Sequence, residues 1–175
     1  MTETNPALET PTDLARNDTR TVADALNAAL ADSYALYLKT KNFHWHVSGP
    51  HFRDYHLLLD DQATQILGVT DAIAERVRKT GNTTLRSIGD ISRRQSIKDN
   101  DRDFVPAAEM LAELRDDNLT LVERFREVKQ ASEEAGDNAT SGIVDDTELG
   151  VQVAFGDLAD CVASAVAGRV VRGAG

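Results

Sequence analysis

Apolar side chains recur along this chain at alternating steps of three and four residues, in long stretches separated by turn signals. From 21 to 47 the repeat runs Val22, Leu26, Ala29, Ser33, Leu36, Thr40, Phe43 and Val47, which places one position per turn on a single helical face. Ser48, Gly49 and Pro50 stop it. From 51 to about 80 the same period returns in Tyr55, Leu59, Gln62, Ile66, Val69, Ile73 and Val77, with Gly81 and Asn82 closing the helix. Turn residues dominate 82–105 around a short helical piece near Ile88 to Gln95. Pro106 suits a first helical position, and Ala107, Leu111, Leu114, Asn118, Leu121, Phe125, Val128 and Ser132 follow a near-heptad until Gly136. A last helix uses Val151, Phe155, Leu158, Val162 and Val166.

Four long amphipathic helices, no convincing strand and one long central connection predict an all-α protein. The arrangement is a ferritin-like four-helix bundle with a short extra helix in the crossover between helices two and three. Residues 1–20, with Pro6, Pro11 and few large apolar side chains, read as a mobile tail. Residues 21–172 read as a single bundle domain, with no internal repeat.

Composition narrows the function classes. The net charge of -10 argues against general attraction to nucleic acid. A lone cysteine, Cys161, cannot form an internal disulfide, and the N-terminus lacks a secretory pattern, so the expected location is the cytoplasm. No apolar run reaches the length of a membrane span.

Candidate chemistry lies on the second helix. Relative to His56, about 100° per residue puts Asp60 at roughly 40°, Asp71 at roughly 60° and Glu75 at roughly 100°, all on one stripe. The stripe sits well away from the apolar face, and Leu57, Ala63, Leu67 and Ala74 along it suit a partner surface. His56 with Asp60, and Asp71 with Glu75, form two i, i+4 pairs about 22 Å apart. Metal ligands must lie within about 2.0–2.6 Å of the ion, so one helix cannot bring both pairs together. Either the pairs serve different purposes or a second copy completes the site. A two-fold axis that pairs this helix antiparallel with its mate would lay one pair against the other, twice.

His44 and Trp45 precede this helix in the run Asn42-Phe43-His44-Trp45-His46-Val47. The plain alternatives are two part-buried histidines bonded to backbone or acids, solvated carboxylates (with Glu75 paired to an arginine such as Arg78), and a tryptophan in the core. His46 points roughly 200° from His44 and cannot share its ion. Imidazole and carboxylate together suit divalent iron, manganese or zinc. The Glu-x-x-His motif usual where two irons sit within one bundle chain is absent.

The run His44-Trp45-His46-Val47-Ser48-Gly49-Pro50-His51-Phe52, followed by His56, Asp60, Asp71 and Ala74-Glu75-Arg76, strongly resembles the Dps family of mini-ferritins. The likeness spans about residues 21–140. It implies a homo-dodecameric shell with di-iron ferroxidase centres at its two-fold interfaces. Residues matching His44, His56 and Asp60 come from one subunit, and those matching Asp71 and Glu75 from its partner. Fe(II) is oxidised, preferably by hydrogen peroxide, the ferric mineral is stored inside, and DNA is protected; Trp45 matches a tryptophan beside the centre. The chain departs from the family in two places. Its tail is net acidic and short of lysine, which argues against direct DNA binding, and the sequence beyond about Glu148 is unusually rich in valine, alanine and glycine. Asp137, Asp145, Asp146 and Glu148 are candidate pore or entry acids. The rival readings are a nucleoid-binding structural protein with a vestigial metal site and a zinc-dependent hydrolase.

Overall fold

The computed structural model describes residues 6–8, 10–145, 147, 156 and 158–163. Its long helices are α1 (Arg16–His46), α2 (Phe52–Lys79) and α4 (Ala107–Glu134), with the short α3 (Ile88–Arg94) in the crossover between α2 and α4. Residues 138–145 and 158–163 are helical in the region of the last bundle helix, and the described residues contain no strand. The ferritin-like bundle and its extra crossover helix are therefore as the periodicity predicts. Leu158 is fully buried in the core and Val162 packs against it, while Val151, Phe155 and Val166 lie outside the described residues.

Two boundaries differ from the sequence reading. The first helix opens at Arg16, so residues 16–20 are helical although the apolar repeat starts at Val22. Buried Thr19 supplies an extra inward position that a search for apolar residues passes over. Pro106 is the N-cap, in extended backbone, and helix α4 begins one residue later. Upstream, Arg78 donates to the Leu8 carbonyl and the Thr10 hydroxyl donates to the Arg78 carbonyl, which holds Leu8 and Thr10 against the end of α2.

The core lies along the meeting line of α1, α2 and α4, where Leu26, Leu36 and Phe43 of α1 face Leu59 and Ile73 of α2 and Leu114, Leu121 and Phe125 of α4. Side chains at i, i+3 and i+4 supply this continuous apolar stripe. A buried carboxylate fixes the crossover to the bundle: Asp32 accepts from the Ser96 amide (2.5 Å) and hydroxyl (2.7 Å), the Ile97 amide (3.1 Å) and Arg124 Nε (3.1 Å). Lys39 of α1, also buried, reaches Glu113 and Asp117 of α4 at 3.0 and 2.6 Å.

Helix ends are set by local chemistry. At the end of α4 the Asp137 amide donates to the Ser132 carbonyl and the Gly136 amide to the Glu133 carbonyl. This paired closure requires the left-handed residue that Gly136 provides at φ 68°. Between α1 and α2 the chain reverses through Gly49 (φ 97°) and His51 (φ 66°), the one non-glycine with positive φ among the described residues. The tight reversal lays the start of α2 back along the end of α1.

Candidate metal centre

The reversal brings His44 of α1 face to face with His56 of α2. The two rings stack with centroids 3.7 Å apart and planes 19° from parallel. His44 Nδ1 lies 2.8 Å from the His56 carbonyl oxygen, and His56 Nδ1 lies 2.9 Å from the His44 carbonyl oxygen. A carbonyl oxygen can only accept, so both Nδ1 atoms carry the proton. In the neutral ring this leaves the Nε2 lone pair unprotonated, the tautomer a metal-binding imidazole needs. His44 is buried and His56 half-buried.

Asp60, one turn along α2 from His56, completes this end of the stripe. Its Oδ1 lies 3.9 Å from His44 Nε2 and accepts a 2.7 Å hydrogen bond from Lys41 Nζ. That hydrogen bond, helped by the positive field of the lysine, holds the Asp60 carboxyl below the usual carboxylate range. The side chain is exposed, so it is an ionised acceptor at the edge of the pair. Beside it an open groove of about 320 Å³ runs along the α1–α2 seam, lined by Tyr37, Lys41, Asp60, Ala63, Thr64, Leu67 and Gly68.

The acidic end of the stripe is separate. Asp71 and Glu75 are exposed on α2, and Glu75 Oε2 accepts from Lys79 Nζ at 2.9 Å. The sequence reading offered Arg78 as a partner for Glu75. Arg78 instead bonds the carbonyls of Leu8 and Asn82, and Lys79, at i+4, takes Glu75. Glu75 also lines an open groove of about 510 Å³ with Thr10, Ala74, Arg78, Lys79 and Thr84. Because α2 is one unbroken helix, the two ends stand about 22 Å apart, and no group of three His, Cys, Asp or Glu side chains among the described residues is placed to hold a metal ion within one chain.

Residues 23–148 match the ferritin-like domain family. The DNA protection during starvation protein of Brevibacillus brevis is 33% identical over 131 residues, covering 75% of this chain and 87% of the relative. The chain belongs to the Dps family. The crystal structure of a Dps protein from Bacillus brevis superposes with a TM-score of 0.80 at 30% identity, covering 85% of this chain and 99% of that one. A Dps protein from Vibrio cholerae, described as a member of a broad superfamily of ferritin-like diiron-carboxylate proteins, gives 0.83 at 22% identity and covers 90% and 99%. The second likeness speaks to the fold alone.

In this Dps chain the fold gathers His44, His56 and Asp60 at one end of the stripe and leaves Asp71 and Glu75 at the other. Trp45 is exposed rather than in the core, because it lies one residue, about 100°, beyond buried His44 on α1. Lys41 Nζ sits 5.8 Å from its ring centroid. Exposed Leu57 and Leu67 lie on the same stripe. His46 bonds the Asn42 carbonyl and takes no part. The sequence reading missed Lys41, whose place three residues before His44 on the same helical face was the available signal.

Among the candidate pore acids, Asp137 is buried, and its carboxylate accepts from Arg76 Nη2 (2.6 Å), the Thr140 hydroxyl (2.6 Å) and the Thr140 amide (3.0 Å). It caps the helical residues that follow and is not an open acid. Asp145 is exposed and paired with Lys129 at 2.6 Å. Asp146 and Glu148 lie outside the described residues.

Proposed function

We propose that this Dps protein is a ferroxidase that oxidises Fe(II), with hydrogen peroxide as the preferred oxidant, at di-iron centres shared by two subunits. Ferric mineral is kept in the hollow shell of a homo-dodecamer in the cytoplasm. The observation that carries this reading is the reciprocal bonding of His44 and His56, which frees two Nε2 lone pairs beside an ionised Asp60. The donor set fits Fe(II), which accepts imidazole and carboxylate together.

On this reading His44, His56 and Asp60 take Fe(II) from one side, while Asp71 and Glu75 of the partner subunit hold and bridge it. Antiparallel pairing of α2 with its mate supplies both halves twice per dimer. Two Fe(II) side by side each give one electron to one peroxide, so the oxidant is fully reduced without releasing hydroxyl radical. Trp45 stands beside the pair to intercept stray oxidising equivalents. DNA is protected by removing both reagents, with no role for the acidic tail as a DNA arm.

The test is Fe(II) oxidation by the metal-free protein under oxygen and under peroxide, with oxidant consumed per iron recorded. Fast peroxide-driven oxidation, about two Fe(II) per peroxide, and a soluble ferric product retained by the shell are expected. Oxidation no faster than in buffer with either oxidant would overturn the reading and favour the structural, nucleoid-binding one.

A further inference from the structure

Phe52 has no place in the core. It is 46% exposed and outside the cluster of α1, α2 and α4 side chains, yet it opens α2 with its ring on His56. The two ring centroids are 5.1 Å apart and the planes 27° from parallel. A nearly parallel ring at 3.7 Å, that of His44, already fills one face of His56. The second nearly parallel ring therefore covers the other face, and Phe52, His56 and His44 form a three-ring stack.

We propose that Phe52 is a positioning residue, which holds the His56 ring in the plane that directs Nε2 at Fe(II). The proposal rests on the reading of His56 as an iron ligand. The Nδ1 hydrogen bond to the His44 carbonyl sets the direction of the ring but tolerates a swing of about 30° out of line. Rings on both faces remove that freedom. His56 is only half-buried, so no core packing on its outer side would do the same. The spacing supplies the contact, since Phe52 stands one helical turn before His56 on the same face. The uncovered half of Phe52 points outward, where a mate lying along α2 would cover it.

The experiment compares assembled, metal-free wild type with Phe52→Leu, Phe52→Tyr and His56→Ala. Phe52→Leu keeps apolar bulk and removes the ring, while Phe52→Tyr keeps the ring. Co(II) is titrated in, with its visible absorption as the spectroscopic signature, Fe(II) oxidation gives KM and kcat, and sedimentation gives the assembled size. Phe52→Leu is expected to bind Co(II) about 2- to 12-fold more weakly, the worth of one aromatic pair, with an altered band shape. Its KM for Fe(II) rises by a similar factor while kcat and assembled size are retained, and Phe52→Tyr behaves as wild type. Wild-type binding by Phe52→Leu, alongside lost binding by His56→Ala, would overturn the positioning role alone. Failure of Phe52→Leu to assemble would overturn it in favour of a role in subunit packing. A Co(II) spectrum unchanged by His56→Ala would overturn the ligand reading itself, and this proposal with it.

Discussion

His44 and His56 exchange hydrogen bonds across the α1–α2 seam, each ring Nδ1 meeting the backbone carbonyl of the other residue at 2.8 and 2.9 Å. Each anchor is a main-chain atom, so truncating one side chain leaves the hydrogen bond of the other in place. His44→Ala should therefore remove one ligand together with the ring on one face of His56, and His56→Ala one ligand together with the ring stacked on His44, with the remaining histidine still hydrogen-bonded in each. Initial rates of Fe(II) oxidation are expected to fall at least about 10-fold in each, with shell size unchanged by sedimentation. A wild-type rate in either variant would contradict the assignment.

Lys41 sits 2.7 Å from Asp60 and so competes with any divalent cation for that carboxylate. Replacing it by glutamine removes the competing charge and its repulsion of the metal. The pair is exposed and screened, so the gain is small: Co(II) should bind Lys41→Gln about 2- to 5-fold more tightly. Weaker binding on titration would mean that Lys41 instead supports the site.

Asp137 gives a pH dependence with a defined sign. Burial alone would push its carboxyl up, but the hydrogen bonds from Arg76 and Thr140, with the charge of Arg76, outweigh that and hold it below the usual value. Because the folded value is depressed, the stabilisation is fully present above the unfolded value of about 3.9 and is lost as pH falls through the folded one. Arg76→Met leaves Asp137 buried without its cation and should cost about 3–5 kcal/mol near neutral pH. Tm measured from pH 7 to pH 2 should show this difference narrowing as pH falls, starting where the variant's carboxyl, pushed up by burial without its cation, takes up its proton; a constant difference throughout would contradict the assignment.

The helices were legible because each buries one face, and burial enforces the three-and-four spacing that Leu26, Phe43, Leu59, Ile73 and Phe125 display. Where polar groups take inward positions the signal fades, as at Thr19, which hid the first turn of α1. The stripe from His56 to Glu75 could be read because an unbroken helix fixes angles from numbering alone. The stacking of His44 on His56 could not, since it depends on how Gly49 and His51 turn the chain. Asp137 looked like an entry acid within an acidic run, and only the fold brings Arg76, 61 residues away, against it.

Complementation between two inactive variants separates a centre built from two subunits from one held within a single chain. One chain carries His44→Ala with His56→Ala, the other Asp71→Ala with Glu75→Ala, and both are unfolded together, mixed equally and reassembled. Each alone should be nearly inactive. In a mixed dimer one of the two centres receives both intact halves, so random pairing should restore about a quarter of the wild-type rate. Reassembled mixed shells with no more activity than the separate variants would contradict a centre shared across the two-fold axis.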